Sequence, residues 1–234
     1  FIQPVITVLL YWFVFEFGLH QKVNDLRTGI EVPFVLWLMG GLVPWFYFQE
    51  ALNGGTGVLD EYSYLVKKVV FQIDALPVVK LISALFTHAF FVVFMLVVFA
   101  VMGFYPDLYV LQIVYYSFCM VILTAGLIYA TSAVTVFFRD MKEVVSILLQ
   151  IGMWVTPIMW NFESMQGIPK WAVVLLKLNP MYYIVSGYRD ALINKTAFWE
   201  HLGLTLWFWG ITLFTLWAGT TVFKRLRVHF ADVL

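Results

Sequence analysis

The chain has 234 residues, 62% of them hydrophobic and 12% charged, and its 14 Lys and Arg balance 14 Asp and Glu. A soluble domain carries about 25% charged residues, so a water-facing globular surface is excluded, and zero net charge gives no global field for nucleic acid or an acidic partner. The single cysteine, Cys119, rules out an intramolecular disulfide and, set in an apolar run, reads as a small buried or lipid-facing residue.

Apolar stretches of roughly 20 residues, the length that crosses about 30 Å of hydrocarbon, recur along the chain. They predict an all-α integral membrane protein, a single domain over residues 1–234 with six transmembrane helices. The first stretch runs from Phe1 to about Phe17 and reads as the middle of a span whose upstream flank is missing, not as a signal peptide. The polar stretch Gly18 to Glu31 ends it, and the second span covers about Val32 to Leu52. From Asn53 to Pro77 the chain is too polar to cross; its glycines are expected to break the helix, and the remainder is a short amphipathic piece carrying Asp60, Glu61, Lys67 and Lys68.

The third span, about Val78 to Met102, and the fourth, about Tyr109 to Phe138, form a hairpin around a tight turn with Gly103 and Pro106. The polar break RDMKE, Arg139 to Glu143, precedes the fifth span, about Val144 to Trp160. That span contains Pro157, which is tolerated where neighbours satisfy the freed carbonyl. Between Asn161 and His201 the apolar pieces WAVVLLKL and MYYIVSGY are shorter than the roughly 17 residues a span needs, and read as re-entrant or interfacial helices. The sixth span, about Leu202 to Phe223, is followed by the basic tail KRLRVHFADVL.

Six crossings put both termini on one side, together with Lys67, Lys68, Lys80, Arg139, Lys142, Lys224, Arg225 and Arg227. Lys22, Arg27, Lys170, Lys177, Arg189 and Lys195 fall on the other, so the bias in short loops favours cytoplasmic termini. Ionisable residues in or near spans are Glu16, Glu50 and His88, the last read as a neutral hydrogen-bonding group between helices or as a proton relay. No spacing matches a metal cage, and no phosphate-cradling G-x-x-x-x-G-K-[ST] loop is present.

Three stretches carry a family resemblance: FFRDMKEVVSILLQIGMWVTPIMW (Phe137 to Trp160), LNPMYYIVSGYRDALI (Leu178 to Ile193) and the ending FKRLRVHFADVL. In that order they resemble the permease subunit of type-2 ABC exporters, most closely the branch that exports lipid-linked polysaccharides such as O-antigen and wall teichoic acid. The resemblance covers essentially the whole chain, except that the amphipathic cytoplasmic segment preceding the first span in that family is missing. It implies a homodimer in the bacterial cytoplasmic membrane, bound by two copies of a separate ABC ATPase and moving a lipid-linked glycan. ATP and magnesium would sit on the partner, no cofactor on this chain, and no bond would be made or broken here. Membrane lipid is an implied partner and nucleic acid is not. An exporter of small hydrophobic drugs or lipids would share the fold; a secondary transporter would require paired mid-span charges and an inverted repeat, which the sequence lacks.

The resemblance also places a cytoplasmic coupling helix in Asp60 to Gln72, with Glu61, Tyr62, Tyr64, Lys67, Lys68 and Phe71 meeting the ATPase; an interfacial helix on anionic lipid is the alternative. Arg139 and Asp140 read either as a second ATPase contact or helix lock, or as a solvated turn. In the external half, Asn179, Pro180, Tyr182, Tyr183, Tyr188 and Arg189 lie with Trp154, Trp160 and Trp171. Aromatic faces pack on sugar C–H groups while phenol and indole donors reach hydroxyls, so these side chains suit a glycan path; the interfacial aromatic belt is the rival.

Overall fold

The computed structural model describes residues 2–18, 23–24, 31–66, 72–161 and 167–233. Helix α1 (Ile2–Trp12) widens into π-type turns over Phe13–Gly18, and a two-residue antiparallel pairing of Val23–Asn24 with Glu31–Val32 precedes α2 (Phe34–Thr56). The one-turn helices α3 (Val58–Glu61) and α4 (Ser63–Val66) come before α5 (Ala75–Val101). A turn at Gly103, with φ 88°, leads to α6 (Gln112–Phe137), then α7 (Met141–Val155), α8 (Lys170–Leu178) and α9 (Pro180–Arg189). Helices α10 (Leu202–Leu226) and α11 (Phe230–Val233) follow.

Three helical stretches among the described residues are long and apolar enough to cross a membrane: Ala75–Val101, Leu108–Phe137 and Phe198–His229, of 27, 30 and 32 residues. Even the shortest reaches about 40 Å at 1.5 Å per residue, beyond the roughly 30 Å of hydrocarbon. Their outward faces are apolar. On α5, Phe86, Phe90, Val93 and Val97 form an exposed row at helical spacing while Ala84, His88, Phe91, Met95 and Phe99 are buried. Such a surface matches lipid and would be expelled from water.

The remaining segments differ in kind. Helix α7 has 15 residues, about 22 Å, too short to cross alone. Helix α2 has 23 residues, but nearly all of it is buried against α5, α6, α7 and α9. Its Gly40, Gly41 and Pro44 lower its apolar character without cost, because protein and not lipid surrounds it.

Lipid tails are as apolar as leucine, so helix association in a membrane depends on close packing and hydrogen bonds. The tightest contact joins α6 to α10. A Cβ on Gly126 would stand 2.7 Å from the Leu216 nitrogen, and one on Gly219 would collide with the Gly126 carbonyl.

Two expectations from the sequence are corrected. The glycines after Leu52 do not break the helix: α2 continues through Gly54 and Gly55 to Thr56. Gly55 serves packing instead, since a Cβ there would lie 2.6 Å from Ile128 side-chain atoms on α6. Nor does Pro157 lie inside a helix. Helix α7 stops at Val155, and Thr156 is extended, with ψ 122°, as the steric demand of a following proline requires.

Candidate functional site

The two internal stretches that stood out in the sequence dock onto each other. Stopping α7 before Pro157 leaves carbonyl oxygens beyond the helix end without helical partners. Arg189, at the last turn of α9, supplies them: Nη1 donates to the Pro157 oxygen and Nη2 to the Ile158 oxygen, both at 2.8 Å. Its Nε donates to the Trp37 oxygen of α2 at 3.3 Å, and the guanidinium lies over the Trp37 ring at 3.4 Å. The side chain is only 8% exposed, so the planar fork with fixed donors meets carbonyls on two elements while screened from water.

Asn179 makes the second junction. Its Nδ2 donates to Thr156 Oγ1 at 2.8 Å, while its Oδ1 accepts from the Met181 nitrogen and caps α9, where Pro180 occupies the first turn. One side chain therefore both starts α9 and ties it to the broken end of α7. Room for the guanidinium comes from α2: a Cβ on Gly41 would stand 2.9 Å from Arg189 Nη2 and 3.1 Å from Ile158 Cγ2. Beside this junction a cavity of about 240 Å3 opens between α2, α6, α7 and α9, lined by Trp45, Leu123, Leu149, Gly152, Thr156 and Asn179 among others.

Helix α9 is also held by hydroxyl contacts. Tyr188 Oη lies 2.6 Å from Ser117 Oγ and 2.9 Å from His88 Nε2, joining α9 to α6 and α5. Tyr183 Oη lies 3.1 Å from Tyr115 Oη and 3.0 Å from Thr205 Oγ1, and Trp209 Nε1 donates to Tyr115 Oη. His88 is thus a hydrogen-bonding group between helices.

At the opposite end of the bundle, charged side chains gather around α3. Lys142, beginning α7, pairs with Asp60 at 2.8 Å, and Lys80 of α5 pairs with Glu61 at 2.8 Å. The hydrogen bond from Lys80 is the main cause that holds the Glu61 carboxyl below its ordinary range. Lys80 Nζ also stands 5.5 Å from the Tyr62 ring centre, and Tyr64 is exposed. Arg139 and Asp140 occupy the exposed turn before α7 and make no ion pair among the described residues. Lys67, Lys68 and Phe71 lie outside the described residues.

The aromatic set named from the sequence is divided. Trp154 and Trp171 are 64% and 68% exposed, and Trp160, partly buried, donates its indole hydrogen to the Trp154 oxygen at 3.0 Å. Tyr182, Tyr183, Tyr188 and Arg189 are buried within the chain. The sequence reading passed over Thr156, Ser117, Tyr115 and the Asp60–Lys142 pair. Thr156 had a signal, since a hydroxyl beside a helix-stopping proline is a natural partner for a nearby cap residue. No group of three or more His, Cys, Asp or Glu able to hold a metal occurs among the described residues.

The family model described as ABC-2 type transporter matches residues 1–193. The chain is 25% identical over 240 residues to "O-antigen export system permease protein RfbA" of Myxococcus xanthus, covering 99% of this chain and 85% of that relative. A Klebsiella pneumoniae protein of the same name is 25% identical over 237 residues, with the same coverage. "Polysialic acid transport protein KpsM" of Escherichia coli is 25% identical over 228 residues, covering 95% of this chain and 83% of the relative.

Proposed function

Since this chain belongs to the ABC-2 type transporter family, we propose that it is the membrane subunit of an ATP-driven exporter that moves a lipid-linked polysaccharide across the bacterial cytoplasmic membrane. The observation that carries the reading is end-to-end similarity: a relative named for O-antigen export aligns with 99% of this chain and 85% of its own length. Two copies of the chain enclose the path, two copies of a separate ABC ATPase drive it, and both termini face the cytoplasm. Helices α1 and α2, and α7 together with the turn through Trp160 that extends it, complete six crossings, and α8 with α9 dips back from the external side.

In this reading the charged end around α3 and α4 receives the ATPase. Paired side chains there hold Glu61, Tyr62 and Tyr64 at the surface, and Arg139 and Asp140 in the adjoining turn add a second contact. Lys67 and Lys68, which follow α4 in the sequence, are assigned to the same contact. Trp154, exposed on α7, and the partly buried Trp160 in the turn beyond it offer the sugar-stacking surfaces; Arg189 holds that turn from within, and Tyr182, Tyr183 and Tyr188 seat α9 behind it. An apolar cavity next to Thr156 and Asn179 suits a hydrocarbon chain, in keeping with a lipid-anchored cargo. Many weak aromatic contacts let a long chain pass without being trapped.

Reconstitution in proteoliposomes with an ABC ATPase subunit from the same organism tests the proposal. Lipid-linked glycan is expected to stimulate ATP hydrolysis and to become accessible on the far side of the vesicle. Stimulation by a small hydrophobic drug or a free phospholipid, with none by the glycan, would replace the polysaccharide assignment with an exporter of small apolar molecules.

A further inference from the structure

The ending FKRLRVHFADVL is the one resembling stretch that the proposed function leaves unused, yet it is built into the fold. Phe223 of α10 and Phe230 of α11 are 1% and 0% exposed, their rings meeting edge to face with centres 5.5 Å apart. They complete an apolar cluster with Val58 and Leu59 of α3, Leu76 of α5, and Ala133 and Val136 of α6; this cluster is separate from the main core. Phe230, near the far end of the sequence, thus belongs to the same apolar cluster as Val58 and Leu59 of α3, with its ring against Phe223 and Phe137.

Helix α3 has four residues, far fewer than the dozen or more an isolated helix needs to persist in water. Its place is therefore set by what it packs on. Its outer side has the Asp60–Lys142 and Glu61–Lys80 pairs, which are surface contacts of little weight. Its inner side is the cluster that Phe230 closes. Arg227, one turn earlier, pairs with Asp74, whose carbonyl also accepts from the Tyr129 hydroxyl at 3.1 Å. The tail is thereby anchored to the entry of α5 while Phe230 enters the cluster that holds Val58 and Leu59.

We propose that the C-terminal segment Arg227–Val233 is a positioning element for the α3–α4 segment, with Phe230 as the side chain that sets it. It acts as a wedge of this chain's own making, fixing where α3 stands so that the segment presents one surface. The proposal rests on the reading of α3 and α4 as the ATPase contact, and its test separates the two.

Val58→Cys, placed in full-length protein carrying Cys119→Ala, reports the seating of α3 through its rate of labelling by a soluble maleimide. Phe230→Ala is expected to raise that rate about tenfold or more, by local opening, while Phe230→Leu stays within about threefold of the unaltered chain. In vesicles with the ATPase bound, glycan moved per ATP hydrolysed is expected to fall about fivefold in Phe230→Ala and to recover in Phe230→Leu, a readout that loss of bundle stability alone does not move. An unchanged labelling rate in Phe230→Ala overturns the positioning role. Faster labelling with unaltered coupling upholds positioning and overturns the docking reading beneath it. Where Phe230→Ala does not reach the membrane, Phe230→Val takes its place, with an acceleration of about threefold expected and an unchanged rate equally decisive against.

Discussion

Around Arg189 a guanidinium is buried, and its donors meet backbone oxygens of Trp37, Pro157 and Ile158. Around Asp60 the charges are paired with each other at the surface, Lys142 on Asp60 and Lys80 on Glu61, each partner at least a fifth exposed. The first arrangement is directional and shielded, so it fixes three elements in one geometry. The second is screened by water and ions, so it biases orientation without locking it. If the α3 end engages and releases an ATPase as proposed, the two arrangements suit one end that keeps its shape and one that adjusts.

The sharpest way to break this contrast is Arg189→Met. It keeps much of the apolar stem but strands buried carbonyl oxygens, and charged hydrogen bonds contribute about 1.5–3 kcal/mol each, so a loss of about 3–5 kcal/mol is expected. Unfolding in detergent measures it; a cost like that of a surface pair would erase the distinction. Gly41→Ala pushes a methyl against the same guanidinium, and overpacking of this kind costs about 1–3 kcal/mol, read as a lowered Tm. Asn179→Ala removes the cap of α9 and its tie to Thr156, costing about 1–2 kcal/mol. Asn179→Ser, which retains the cap, is expected to restore about half of that.

At the charged end, Lys142→Met is expected to change stability by less than about 1 kcal/mol, an effect that salt further reduces. Glycan transport by the same variant would fall if the α3 surface engages the ATPase, and normal transport would remove that role. The smallest effect concerns Glu61. Its carboxyl is held below the ordinary range, so the stabilisation is present at neutral pH and is lost as acid takes the pH down through that lowered value. Being exposed, it is expected to appear as a slight acid-side drop in Tm that Lys80→Met abolishes.

The long spans α5, α6 and α10 were legible within a few residues, because lipid-facing helices announce themselves by unbroken apolar length. The way the polar and aromatic side chains of the site turn inward was not. Hydropathy places Tyr188 and Arg189 near an interface but is silent on which way they turn, and the oxygens that Arg189 meets belong to the backbone, which leaves no mark on side-chain pattern. Gly55 misled for a related reason: glycine weakens a helix in water, whereas against Ile128 its lack of a side chain is what the packing requires. The Asn179–Pro180 pair was legible in principle, since Asn before Pro marks the start of a helix. The separation of Lys142 from Asp60 along the chain hid their pairing.

The bond from Arg189 to the Trp37 oxygen joins residues 152 positions apart. Synthesis runs from the N-terminus at about 5–20 residues per second, so the turn of α2 bearing Trp37 exists for roughly 8–30 seconds before its donor is made. During that interval α2, poor in lipid-facing surface, depends on the insertion machinery or on α5 and α6 for shelter. The Trp37 oxygen therefore waits on α9 for its donor, and a chain stalled ahead of Arg189 would lack the bond that ties α2 to α9.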